Sequence, residues 1–291
     1  MTDSIGGVVP ERILGAAKKL FSRYPPVQSL VASPDEPNDS RLNDHIIKYR
    51  KEAYAAYPYP CIHLCMFVYA TIPDSSVYQS VIIPKLKAPS SSLLMDVGCG
   101  LGQDIRALVA DGADPANIIG FELHPEFIQA GYGLWRDGPE TENPLKTTFI
   151  TGSIFDEDND LTPYHGRVDI IHVSAMLHLF SMEKQLIIAG RFDKLLKAEP
   201  GAIITGTQVG VREAGVLEPR TETEGWNSRL SVGIFRHNIE TFKEFWTKVG
   251  DGKWNVEVSE IVMNIDPEKH QLSIVAKGET ILALRFVVTR L

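Results

Sequence analysis

Leu93-Leu94-Met95-Asp96-Val97-Gly98-Cys99-Gly100-Leu101-Gly102-Gln103-Asp104 is an apolar run, an acid, and then three glycines at alternate positions. The pattern predicts a buried strand ending at Val97, a tight turn, and a helix beginning near Leu101. Glycines in such a turn let a ligand touch the backbone, because no Cβ stands in the way. The dinucleotide fingerprint G-x-G-x-x-G would need glycine at position 103, and Gln103 is there instead. Further on, Asn117-Ile118-Ile119-Gly120-Phe121-Glu122 is a short apolar strand ending in an acid. Glu122 lies about 20 residues beyond the glycines, where a carboxylate can accept both ribose hydroxyls.

From Leu93 onward, predicted strands alternate with predicted helices, the signature of a parallel α/β sheet. Strands are expected at 93–97, 118–122, 147–151, 168–174 and 202–208, with helices at 103–112, 125–135 and 183–197. Another helix, 238–249, carries Ile239, Phe242, Phe245, Trp246 and Val249 on one face. Residues 254–265, 271–276 and 280–289 read as strands, the last two joined at Lys277-Gly278. Upstream, helices are expected at 13–24, about 44–57, 61–71 and 75–87. The segment Pro89-Ser90-Ser91-Ser92 divides a helical cap, residues 1–90, from a sheet domain, residues 91–291.

The 291 residues are 44% hydrophobic and 23% charged, an ordinary globular composition. The net charge of −8 argues against nucleic acid or an anionic membrane surface as partner. No window approaches about 18 uninterrupted apolar residues, so no membrane span is expected. No secretory signal is visible at Met1-Thr2-Asp3-Ser4-Ile5. The odd count of three cysteines, Cys61, Cys65 and Cys99, fits a reducing, cytoplasmic setting. Cys61 and Cys65 lack a second pair, so buried packing is expected of them and no metal site.

The run D-x-G-x-G-x-G with Glu122 resembles motif I and its following acid in class I S-adenosylmethionine (SAM) methyltransferases. A narrower resemblance is to fungal O-methyltransferases of meroterpenoid and polyketide pathways. It extends from Ile105-Arg106 and Asp111-Gly112-Ala113 through Gly131-Tyr132-Gly133-Leu134-Trp135 and His178-Leu179-Phe180 with Gln185. It continues over Gly206-Thr207-Gln208-Val209-Gly210, Phe235-Arg236-His237-Asn238 and Trp246-x-x-Val249-Gly250. The resemblance implies a Rossmann-like seven-stranded methyltransferase sheet with helices on both faces and an antiparallel C-terminal strand. It implies SAM as cofactor, held by Asp96, Gly98, Cys99, Gly100, Gly102, Gln103, Glu122, Leu123, Ser153, Ile154 and Ser174. The acceptor would be a small hydrophobic metabolite, such as a prenylated aromatic polyketide methylated at its carboxyl group. A hydroxyl on a polyketide pyrone is the alternative. A SAM-binding protein without catalysis, and an RNA or protein methyltransferase, are further readings; a homodimer is an open assembly.

A carboxylate with a pKa of roughly 4 is ionised at neutral pH and needs no base, whereas a phenol near 10 wants one. His178, just past the fourth strand, and His237, after Arg236, are the candidate bases. Arg236 could give a bidentate contact to a substrate carboxylate, and Gln208 ends the fifth strand near the same edge. Tyr49, Tyr54, Tyr57, Tyr59, Phe67 and Tyr69 in the cap could line an apolar pocket.

Overall fold

Strand β1 (Leu94–Val97) is buried along its whole length, as an apolar run at the centre of a parallel sheet must be. The computed structural model describes residues 7–31, 39–157, 160–217, 233–263 and 280–291. Around β1 lie β2 (Ile118–Glu122), β3 (Thr148–Thr151), β4 (Ile170–His172) and β5 (Ile203–Gly210), all parallel. Two long strands, β8 (Trp254–Val262) and β9 (Leu282–Arg290), complete a seven-stranded sheet of order β3-β2-β1-β4-β5-β9-β8. Strand β9 runs against both of its neighbours. A separate two-stranded ribbon joins β6 (Gly215–Val216) and β7 (Phe235–Arg236). The order reverses between β1 and β4, so the carboxyl ends of those strands flank the crevice where α/β sheets take ligands.

Side-chain alternation sorts the helices onto two faces. Met95, Val97, Ile171 and Phe286 point toward α7 (Met182–Leu195) and α8 (Ile239–Gly250), meeting Phe192, Phe242, Phe245 and Trp246. Leu94, Ile118 and Ile170 point the other way, toward α4 (Ile83–Leu86) and α5 (Gln103–Ala110). The N-terminal helices α1 (Glu11–Phe21), α2 (Ser40–Ala56) and α3 (Pro60–His63) pack with α6 (Pro125–Trp135) through Phe21, Ile46, Phe127 and Trp135.

Polar bonds tie this cap to the sheet. The Arg106 guanidinium of α5 grips Asp137 through Nε (2.9 Å) and Nη2 (2.8 Å), and the Tyr24 hydroxyl donates to the same carboxylate at 2.6 Å. Arg106 and Asp137 are 1% and 0% exposed, so neither charge has an alternative partner in solvent. Farther along, the backbone amides of Thr71 and Ile72 both donate to Asp104 Oδ1, at 2.6 and 2.7 Å.

Two helical expectations in the cap are corrected. Residues 61–71 do not form one helix: α3 ends within a turn, Cys65 takes a left-handed φ of 56°, and short 3-10 turns follow at Met66–Val68 and Ile72–Asp74. Apolar content there reflects burial at successive positions, Phe67 and Val68 included, and not a helical stripe. Residues 75–87 open as a wide π turn, Tyr78–Ile82, before α4. The strand expected at 271–276 and its Lys277-Gly278 turn lie outside the described residues. Among the described residues no helix is long and apolar enough to cross a membrane.

Candidate functional site

The glycine turn follows β1 at the sheet's carboxyl edge. Gly98, Gly100 and Gly102 all hold positive φ (73°, 55° and 75°), the left-handed region that glycine enters at little cost. A Cβ on Gly100 would meet no protein atom within 4 Å, so space above this residue is open. A Cβ on Gly102 would strike Arg106 Nη1 at 2.0 Å, so that glycine is demanded by packing. The backbone of the turn is fixed by donation from the Gly98 and Cys99 amides to the Phe121 carbonyl, at 2.8 and 3.2 Å. Cys99 contributes only its backbone, for its side chain is buried and burial pushes the thiol pKa well up.

Glu122 ends β2 beside this turn. Its Oε2 accepts from the Gly100 amide at 2.9 Å, and its Oε1 accepts from the Leu123 and His124 amides at 2.8 and 3.1 Å. Burial raises the Glu122 pKa, and the three amides pull it back toward the charged form. The carboxylate therefore braces the glycine turn. Leu123 is 52% exposed, an apolar residue open to a ligand, while Ile154 is buried and Ser153 caps its own loop by accepting from Phe155 at 3.2 Å.

Beneath the turn lies a buried charged row that sequence reading met only in part. Asp96 sits opposite His172 in the β1–β4 register, and His172 sits opposite Thr205 in β4–β5. Burial pushes Asp96 up to about 7, opposed by His172. The Asp104 and Asp96 carboxylates hold His172 toward its charged form, and Asp104 Oδ2 lies 3.5 Å from its Nε2. His172 was passed over because a lone histidine at the end of an apolar strand carries no motif. Strand register sets it beside Asp96, and the packing of α5 brings Asp104 to its ring.

Ser174 sits just past β4. Its hydroxyl oxygen accepts from Thr71 Oγ1 at 2.8 Å and from the Thr207 amide at 3.1 Å. Ala175 next to it holds a positive φ of 53°, a backbone conformation costly for alanine. Several buried polar atoms at this edge of the sheet make no hydrogen bond: Asp96 Oδ2, Gln103 Oε1 at the start of α5, and both amide atoms of Gln208. Such atoms are rare in folded proteins, and their grouping at one edge fits a site completed by a polar ligand. The open cradle at Gly100, the Glu122 carboxylate and Ser174 fit a nucleoside carrying an amino-acid tail.

On the other flank of β5, His178 accepts the Val209 amide on Nδ1 at 3.3 Å, so its ring proton sits on Nε2. Burial and then the neighbouring Arg236 guanidinium push its pKa well down. Arg236, 2% exposed, therefore stands beside His178, and the unbonded Gln208 amide is on the adjacent strand position. His237, the other candidate base, has both ring nitrogens engaged within the protein. Its ring nitrogens bond Thr241 Oγ1 and Gln185 Oε1, both at 3.2 Å, and it packs among Phe235, Phe242 and Phe245. Burial pushes it down to about 4, so it serves as an interior strut between α7 and α8.

Residues 36–68 match a family model described as a meroterpenoid methyltransferase N-terminal domain. An O-methyltransferase of Stereocaulon alpinum is 36% identical over 226 residues, which is 76% of this chain and 61% of that protein. The chain thus spans less than two thirds of that relative's length. An asnovolin E/chermesin D methyltransferase of Aspergillus novofumigatus is 33% identical over 77% of this chain and 76% of its own. A methyltransferase of Aspergillus terreus is 30% identical over 72% and 70%.

Proposed function

The chain belongs to the fungal secondary-metabolite O-methyltransferases, and from that membership we propose that it moves a methyl group from SAM to an oxygen of a hydrophobic metabolite, a carboxyl oxygen first. When bound, SAM supplies the electrophilic methyl, and the protein's part is to bind, align and exclude water. The observation that carries the donor site is the glycine turn with open space over Gly100 and the Glu122 carboxylate bonded to its amide. Asp96, Gly98, Gly100, Gly102 and Gln103 line the amino-acid end, and Ser153 and Ile154 the adenine end. Leu123 and Glu122 flank the ribose.

The state of His178 favours a carboxyl acceptor. Its Nδ1 is occupied by an amide proton and its Nε2 carries the other, so the ring can donate to an acceptor oxygen and is a poor proton acceptor. An ionised carboxylate requires no base. Arg236 and Gln208 would steady the acceptor, with the helical segment 1–90 covering it. Incubation with labelled SAM and matched aromatic acid and phenol acceptors tests the reading. Mild alkali should release label from the product as from an ester. Alkali-stable label located on oxygen would establish the hydroxyl reading, and label on nitrogen, carbon or RNA would overturn both.

A further inference from the structure

Glu122 has less acceptor capacity to offer a ligand than its position suggests. An ionised carboxylate carries about four lone-pair sites, two on each oxygen. Oε1 already accepts from the Leu123 and His124 amides, and Oε2 from the Gly100 amide. One site is left, on Oε2, beside the open space at Gly100. A ribose brings two neighbouring hydroxyls. Glu122 can take a strong hydrogen bond from one of them, and the other needs a partner elsewhere.

The cap supplies one. Tyr57-Pro58-Tyr59-Pro60 joins α2 to α3. Each proline holds the tyrosine before it in extended backbone, with φ −151° and ψ 124° at Tyr57 and φ −66° and ψ 146° at Tyr59. The two tyrosine rings lie 4.3 Å apart between centroids. Tyr57 stacks on the His124 ring at 4.9 Å, and Tyr59 meets that ring edge-on at 5.9 Å and Phe127 at 6.0 Å. His124 is also a residue whose amide Glu122 binds, so the segment is pinned against the end of β2.

Tyr59 is half-buried, and its hydroxyl makes no hydrogen bond among the described residues. Burial, then Tyr57, then the Glu122 carboxylate raise its pKa, so the phenol stays protonated. Burial pushes the Cys61 thiol, two residues on, up to about 11, and the Glu122 charge adds to it. Both side chains of this short segment therefore lie in the field of that carboxylate.

We infer that Tyr59 is a ribose-binding residue, its hydroxyl bonding the second ribose hydroxyl of SAM while Glu122 Oε2 takes the first. The inference rests on the SAM-dependent reading of the site and brings one residue of the cap onto the cofactor. A neutral phenol can donate to a hydroxyl or accept from it, so the contact needs no further charge. Two prolines and the packed rings already hold the side chain, so little ordering is lost on binding.

Calorimetry on the full chain with S-adenosylhomocysteine and its 2′-deoxy and 3′-deoxy analogues tests this in wild type and Tyr59→Phe. The variant should melt as wild type does, since it loses no bond within the protein. It should bind S-adenosylhomocysteine about three- to tenfold more weakly, the scale of one neutral hydrogen bond. One deoxy analogue should lose a similar factor in wild type and almost nothing in Tyr59→Phe, because its missing hydroxyl has already lost its partner. The other should lose roughly tenfold or more in both proteins, the scale of a charge-assisted bond to Glu122. Equal affinity of wild type and Tyr59→Phe for S-adenosylhomocysteine, or coupling of Tyr59 to neither analogue or to both alike, would overturn the assignment and leave the cofactor reading standing. No binding of S-adenosylhomocysteine by wild type would overturn the cofactor reading and Tyr59 with it. Coupling to one analogue, without methyl transfer to any acceptor, would defeat the methyltransferase reading and leave the assignment standing.

Discussion

At Gly100 the proposed SAM site turns on one missing side chain. The protein leaves open the space a Cβ would fill, and the left-handed backbone there costs alanine about 1 kcal/mol. Gly100→Ala should therefore lower the melting temperature only slightly and weaken SAM binding at least tenfold. Equal affinity by calorimetry would remove the turn from the donor site. Glu122→Ala should lose at least tenfold in SAM affinity too. It should also destabilise the turn, because three backbone amides lose their acceptor. A loss below threefold would mean that the carboxylate only braces the loop. His178→Gln should leave the rate with an acid acceptor nearly flat from about pH 6 to 9, since no proton is removed. A hundredfold loss with a pH inflection would assign His178 as a base and favour a hydroxyl acceptor.

At the scale of elements, α8 is set by its start. Asn238 and Thr241 form a reciprocal capping box, the Asn238 side chain accepting from the Thr241 amide at 2.9 Å. His237 precedes it and joins the cap to α7 through Gln185. Its folded pKa, about 4, lies below the unfolded value near 6.5. Its contribution to stability is therefore full above about pH 6.5 and is lost as pH falls toward 4. His237→Gln should flatten that part of the melting-temperature profile while leaving methyl transfer at pH 8 intact. A variant that folds as well as wild type but has lost turnover at pH 8 would return His237 to the catalytic site.

At the scale of the whole molecule, Tyr24, Arg106 and Asp137 bond the N-terminal helices to α5 and the segment after α6, beside the apolar contacts there. Asp137→Asn leaves a buried guanidinium short of its counter-charge, at a cost of about 3–5 kcal/mol. Urea denaturation should show that loss with the cap and the sheet unfolding in one transition. A loss under about 1 kcal/mol, or a separate early transition, would show that the cap folds by itself.

The strand–turn–helix around Gly98, the five parallel strands and the amphipathic α8 were legible in sequence because each is written in local periodicity and turn chemistry. The meeting of the glycine turn with Glu122 was legible for the same reason: both sit at fixed spacings on consecutive elements. In the cap, residues 61–71 were misread, since burial from several sides gives the same apolar composition as a helix stripe. Register decided what spacing could not. It set His172 between Asp96 and Thr205, and it paired Arg285 with Thr207, residues 78 positions apart in the chain. Tertiary packing also separated two adjacent residues that sequence had grouped, Arg236 beside His178 and His237 within an aromatic layer. Local chemistry fixes which backbone can cradle a cofactor; the charges that face one another across a sheet are chosen only when the strands align.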